Sequence, residues 1–223
     1  MPFKVVPRRD RKLYRVVKRG ETRTLERGKV LYGAGDPSQH LFLVRSGHLR
    51  LEVPEDSGDP GAEAQAGRTA DIVGPWEICG EEALVPETPR RLTALAGEPT
   101  QVTVLDGLHT KRALQTSQTT LEAFLRAKEA ELTLARALSV SRRPGGAGAR
   151  LGAVLLHLSD RHGKLEGRGT RVGIPLTHQL LADLSASHRS TVTTLLNDWI
   201  YQGALEDDGE GILIRKAGVL AGI

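Results

Sequence analysis

Two stretches of the chain bring together side chains able to do chemistry. Residues 79–95 read CGEEALVPETPRRLTAL: a Gly-Glu pair, a run of turn formers, then the adjacent arginines Arg90 and Arg91. Guanidinium groups make the strong, charge-assisted hydrogen bonds that hold phosphates and carboxylates, so this loop is a candidate anion pocket. A plain strand-loop-strand also accounts for most of its composition. Residues 175–205 read PLTHQLLADLSASHRSTVTTLLNDWIYQGAL. Here Thr177 can cap a helix whose apolar face is Leu180, Leu181 and Leu184. Ser185-Ala186-Ser187 forms a short turn, and Ser187 is placed to cap the next helix. That helix buries Val192, Leu195, Leu196 and Trp199 and presents Arg189, Ser190, Thr193, Thr194 and Asn197 on its other side. With a small Ala182 at the crossing, the pair describes a helix-turn-helix. An arginine near the start of such a second helix can pair with guanine O6 and N7 in the major groove. The exposed face has no carboxylate until Asp198, which suits a surface that meets phosphates. His188, just before the helix, and Thr177 join the candidate DNA-contacting set. An ordinary helical hairpin with a solvated face is the competing account.

Other chemistries find little support. The lone cysteine, Cys79, excludes a disulfide framework within the chain and any zinc finger; a small buried hydrophobe at a strand end is its expected role. His40 and His48 are the one close histidine pair in the β-rich part and lack metal-ligand spacing. No nucleophile-base constellation is visible, so no enzymatic activity is expected.

The elements that must position these residues follow from patterning. The chain has 223 residues, 39% of them hydrophobic but only 4% aromatic, so its cores are built from Leu, Val and Ala. The net charge of +4 is compatible with a nucleic-acid partner without demonstrating one. No apolar run reaches the length of a membrane span, and the N-terminus lacks an apolar signal core; a cytoplasmic protein is expected. Residues 1–20 form a basic extension. Residues 21–107 show short apolar runs punctuated by glycine, the mark of a β-roll or jelly roll. Leu49, Leu51 and Val53 alternate with His48, Arg50 and Glu52 as a half-buried strand requires, and Gly47 is placed for a tight hairpin. Residues 54–68 carry no apolar pattern and read as a loop. Residues 108–142 contain no glycine or proline, and helix formers dominate. Leu114, Leu121, Leu125, Leu132 and Ala135 form the narrow seam of one long helix, read as a dimerisation element. Pro144 and the glycines after it make residues 143–149 a hinge. Residues 150–223 follow as a DNA-binding domain: an amphipathic helix on Leu151, Val154, Leu155 and Leu158, a strand TRVGI, the helix-turn-helix, and a hairpin turning between Leu205 and Ile212 that reads as a wing.

The order β-roll, long helix, winged helix-turn-helix resembles the Crp–Fnr family of bacterial transcription regulators, an α+β architecture, over nearly everything after residue 20. GDPSQHLFLVRSGHLRL, residues 35–51, is similar to the family's roll signature, and THQLLADLSASHRSTVTTLL to its DNA-reading element, with Arg189 at the guanine-contacting position. Ser190 stands where the family often has an acidic residue and Thr194 where a second arginine can occur, which implies a distinct operator. GEEALVPETPRRLT resembles the phosphate-binding cassette of cyclic-nucleotide domains. The resemblance implies that Gly80 and Glu81 serve the ribose and that Arg90, or Arg91 in a loop one residue longer, pairs with the cyclic phosphate. Thr133 is the candidate for the base. The residue after the arginine is small in the family; here it is Arg91 or Leu92, and either obstructs a phosphate. The implied function is a homodimeric, sequence-specific regulator that binds double-stranded DNA, with RNA polymerase as a further partner. Its control is by cAMP as allosteric effector or, alternatively, by abundance with no small molecule. An interaction protein without DNA binding is the remote alternative.

Overall fold

The computed structural model describes residues 20–54, 67–85, 87–122, 124–126, 128–129, 132, 146–167 and 169–222. The basic extension before residue 20, most of the 54–68 loop, Thr133, Ala135 and the first part of the hinge lie outside the described residues. Tertiary contacts divide the chain into two units between residues 127 and 128.

The first unit is a roll of two antiparallel sheets. One has the order β1-β8-β3-β6 and the other β2-β7-β4-β5, with β1 Glu21–Leu25, β2 Val30–Tyr32, β3 His40–Ser46, β4 Leu49–Val53, β5 Arg68–Val73, β6 Ile78–Cys79, β7 Thr93–Ala96 and β8 Thr100–Asp106. Tyr32, Phe42, Val44, Leu49, Val73, Cys79, Ala94, Ala96, Val102 and Val104 form the core between them. Leu41, Leu43, Ile78 and Leu105 form a second core with Ala83 and Leu84. Strand β3 therefore contributes to a core from both faces, which is why HLFLV reads as a continuous apolar run instead of an alternation. Cys79 is 1% exposed and belongs to the first core.

The hairpin expected at Gly47 is not there. Gly47 does have a positive φ of 71°, but β3 and β4 lie in different sheets, so the turn carries the chain from one layer to the other. Glycine is required for space as well, since a Cβ would lie 2.5 Å from the Pro99 carbonyl oxygen. The expected alternation of β4 holds for Leu49 and Leu51, which reach the core. It fails at Val53, which is exposed, while Glu52 is buried beyond a register shift between Leu51 and Glu52.

Asp106 caps α1 (Gly107–Thr116), accepting from the His109 backbone N–H at 2.8 Å. That hydrogen bond holds the Asp106 carboxyl below its ordinary pKa. The long helix expected from residue 108 is interrupted. Ser117 is extended at φ −137°, and its hydroxyl accepts from the Thr120 backbone N–H, starting a new helical run. Thr116 meanwhile turns its hydroxyl back onto the Arg112 and Ala113 carbonyls. Hydroxyl side chains that compete with the backbone in this way end a helix without glycine or proline. Leu114 is buried within the roll unit, whereas Leu121, Leu125 and Leu132 on the following helical residues are exposed.

The second unit is built on α2 (Ala147–His162), whose Leu151, Val154, Leu155 and Leu158 are all buried. A sheet of order β11-β12-β10-β9 joins Gly163–Glu166 (β9), Gly169–Val172 (β10), Leu205–Asp207 (β11) and Ile212–Ile214 (β12). The strand expected at TRVGI is β10, and the β11–β12 hairpin is the wing; β9 was not anticipated. Helices α3 (His178–Leu184) and α4 (Arg189–Tyr201) form the helix-turn-helix, and α5 (Ala217–Ala221) crosses α2 so closely that a Cβ on Gly152 would lie 2.1 Å from the Leu220 carbonyl oxygen.

Candidate nucleic-acid interface and ligand loop

Thr177 caps α3, its hydroxyl accepting from the Leu180 N–H at 3.1 Å. The turn into α4 passes through Ala186 at φ 47°, a left-handed conformation that costs a residue with a Cβ on the order of 1 kcal/mol. An arginine from α2 holds this turn: Arg150 donates from Nε to the Ser185 carbonyl at 2.7 Å, and from Nη2 to the Ala186 carbonyl at 3.2 Å and the Ser187 hydroxyl at 3.3 Å. Ser187 is therefore not the cap of α4. That position falls to His188, which makes no side-chain cap; the Ser187 hydroxyl is directed to the Ser185 carbonyl at 3.2 Å instead. Arg150 lies on an amphipathic helix 35 residues away, and no local spacing marks it.

Along α4, Val192, Leu196 and Trp199 are buried, while Arg189, Ser190, Thr194 and Asn197 are exposed and Thr193 half-buried. The two threonine hydroxyls are engaged within the helix: Thr193 donates to the Arg189 carbonyl at 3.0 Å and Thr194 to the Ser190 carbonyl at 3.1 Å. Thr193 Oγ1 also lies 2.9 Å from His178 Nδ1, within hydrogen-bond distance. Sequence reasoning passed over His178, which sits one residue after the cap. The face of α4 thus presents Arg189 and Ser190 at its N-terminal end, with Thr193 held in one rotamer by a neighbour on α3.

The wing is acidic: Glu206, Asp207, Asp208 and Glu210 lie in or between its strands. Arg171 on β10 neutralises part of this charge, bonding Glu166 at 2.6 Å and Asp208 at 2.7 Å. Arg215 pairs with Glu206 at 2.8 Å. The Arg171 hydrogen bond lowers the Asp208 carboxyl to about 2.

In the roll, Gly80 is left-handed at φ 84° and opens a 3-10 turn, Glu81–Leu84. A Cβ there would meet Arg90 Nη1 at 2.6 Å. Arg90 is 4% exposed. Its Nη1 donates to the Gly80 carbonyl at 2.9 Å and to Glu82 Oε2 at 3.4 Å, and its Nη2 donates to the His40 carbonyl. Its guanidinium lies 4.4 Å from the Tyr32 ring centroid and 5.5 Å from that of Phe42. The Arg90 backbone is fixed from both sides, donating to the Asp36 carbonyl at 2.9 Å and accepting from the Gly35 N–H at 2.8 Å. Glu81 Oε1 is shut off from solvent. The structure therefore brings Gly80, Glu81 and Arg90 into one loop and leaves the Arg91 side chain exposed. Glu82, the second carboxylate of the Gly-Glu-Glu run, is the residue that sequence reasoning overlooked. No group of three or more potential metal ligands occurs among the described residues.

The two halves of the chain match two family models. Residues 22–117 match the cyclic nucleotide-binding domain, and residues 149–223 match the Crp-like helix-turn-helix domain. The chain is 30% identical over 205 residues to the cyclic AMP receptor protein of Thermus thermophilus, covering 90% of this chain and 86% of that one. The chain belongs to the Crp–Fnr family. It is a DNA-binding transcription regulator with a cyclic-nucleotide-binding-type domain. It is also 26% identical to a CRP-like cAMP-activated global transcriptional regulator of Mycobacterium tuberculosis, over 87% of this chain and 84% of the relative. FixK2 from Bradyrhizobium japonicum has the same fold, with a TM-score of 0.71 at 18% identity over 91% of this chain and 96% of the other. Among the described residues of this regulator, no helix is long and apolar enough to cross a membrane.

Proposed function

We propose that this Crp–Fnr protein is a homodimeric cytoplasmic regulator that reads a near-palindromic operator through the N-terminal end of α4, with Arg189 as the base-reading arginine and RNA polymerase as a further partner. The observation that carries the reading is Arg189 itself: exposed, in the first turn of a helix whose other face is buried. Ser190 lies beside it, Thr193 and Thr194 supply their methyl groups, and His188 and Thr177 lie near enough in sequence to approach phosphates. The exposed Leu121, Leu125 and Leu132 are an apolar row of the kind that a second copy covers. Two recognition helices then address half-sites about one helical turn, ~34 Å, apart.

The test is selection of bound sequences from random duplexes, followed by titration of the selected site and of a scrambled one. Arg189→Ala is expected to lose the preference between the two while keeping weak, salt-sensitive binding. Equal weakening on both duplexes refutes the assignment.

Two readings of its control stand. The relatives named for cAMP, together with Gly80, Glu81 and Arg90 in one loop, support cAMP as an effector that favours the DNA-competent dimer. A regulator competent without ligand is favoured by a different observation: donors of Arg90 are already engaged by Gly80, His40 and Glu82. Calorimetry with cAMP and cGMP, run beside operator binding with and without each, separates the two. Tight cAMP binding that strengthens operator binding eliminates the ligand-free reading.

A further inference from the structure

We infer that Glu82 is a built-in anion that occupies the place where a ligand phosphate would meet the loop, and so sets the affinity of this domain for phosphate-bearing ligands. The inference deepens the ligand reading above and does not depend on DNA recognition. Its basis is the way one carboxylate spans two kinds of donor. Glu82 Oε2 accepts from the Arg90 guanidinium at 3.4 Å, and Oε1 accepts from the Arg91 backbone N–H at 3.3 Å. A buried guanidinium beside a backbone N–H is the donor set that a phosphate oxygen pair uses, and here a side chain of the same loop fills it.

Three further observations make the place a built one. Arg90 is 4% exposed, so its charge cannot be satisfied by bulk water. Its guanidinium also donates to the Gly80 and His40 carbonyls, which keep it in place when Glu82 departs. Its Nε is buried with no hydrogen-bond partner, so donor capacity remains after Gly80, His40 and Glu82 are counted. The two Glu82 contacts are also long for a charge-assisted pair, which normally closes to about 2.8 Å. The carboxylate thus compensates the guanidinium without saturating it, and an oxyanion with more oxygens can compete for the same donors. Glu82 retains 19% of its side-chain exposure, so it can turn outward without disturbing the core. Binding an anion therefore requires either displacing Glu82 or placing two negative charges at one guanidinium, and each lowers the affinity.

The experiment measures cAMP and adenosine binding by calorimetry on the full-length protein and on Glu82→Gln and Glu82→Ala, with thermal unfolding as a check on folding. Both variants are expected to bind cAMP at least tenfold more tightly than the unmodified protein and to leave adenosine, which has no phosphate, unchanged. If one variant fails to fold, the other carries the comparison. Equal or weaker cAMP binding, no cAMP binding by any form, or the same gain for adenosine overturns the inference. Operator titration of the unmodified protein, run in parallel, reports on the DNA reading alone, so failure of one is not mistaken for failure of the other.

Discussion

Removing the Arg150 guanidinium is expected to loosen the turn that aims α4. Arg150→Met keeps the aliphatic stem and deletes the hydrogen bonds. The Nε bond to the Ser185 carbonyl is short at 2.7 Å and partly buried; those to the Ala186 carbonyl at 3.2 Å and to Ser187 Oγ at 3.3 Å are long. Hydrogen bonds from a charged donor contribute about 1.5–3 kcal/mol each. The short one is counted near the bottom of that range and the two long ones at a fraction of it, since water can replace part of what they supply. The sum is a loss of ~2 kcal/mol, roughly a thirtyfold shift in the folding equilibrium of this unit. Two tryptophans, Trp76 and Trp199, are present, and Trp199 is buried in α4. A Trp76→Phe background therefore leaves a fluorescence signal confined to the unit in question. Urea titration of that background with and without Arg150→Met gives the difference directly. A second substitution sharpens the test: with Ala186 at φ 47°, Ala186→Gly relieves a strain of ~1 kcal/mol and should restore about half of the loss. A change below ~0.5 kcal/mol for Arg150→Met, which is the range of surface substitutions without such a role, or no recovery with Ala186→Gly, refutes the argument that this arginine holds a strained turn.

Further outcomes follow from the same contacts. Arg90→Met removes one donor each from the Gly80 and His40 carbonyls and from Glu82, and breaking a buried charged cluster of this kind costs about 3–5 kcal/mol; the roll should lower its melting temperature whether or not any nucleotide is present. Gly152→Ala places a Cβ against the Leu220 carbonyl, an overpacking of about 1–3 kcal/mol, seen as faster amide exchange in α5. Asp208 has its carboxyl lowered to about 2 from 3.8. The group binds its proton more readily unfolded than folded, so its contribution is complete above about pH 4 and is lost as pH falls towards 2. An NMR titration of the Asp208 carboxyl should place its midpoint in that low range, and Arg171→Gln should move it up towards 3.8.

Much of the DNA-binding unit was legible in the sequence because its determinants are local. Leu151, Val154, Leu155 and Leu158 declare α2 by spacing alone, Thr177 caps α3 as its position implies, and the glycines of Asp-Asp-Gly-Glu-Gly mark the wing turn. What escaped depends on partners distant in the chain. A strand buried on both faces and a glycine with positive φ do not say which sheet comes next, so β3 and β4 read as a hairpin. The break at Ser117 is made by hydroxyls and not by glycine or proline, so the helix read as continuous. In the loop at 79–95, attention to the bulk of Arg91 and Leu92 hid Glu82, whose effect comes from where its charge is placed.

The acidic wing has a consequence for how this protein responds to salt. Arg171 and Arg215 are committed to Glu166, Asp208 and Glu206, and carboxylates are left in excess along the hairpin. A duplex approaching α4 therefore meets attraction from the helix end and repulsion from its neighbour. Dissolved ions weaken both, over a screening length of about 10 Å at 0.1 M. On the proposed mode of binding, cations released as basic side chains neutralise phosphates favour binding in dilute buffer, while the screening that removes the wing's repulsion favours it in concentrated buffer. The logarithm of affinity should fall with the logarithm of salt less steeply than a count of basic contacts implies, at about −0.9 per phosphate neutralised, and the plot should curve where the two contributions exchange dominance.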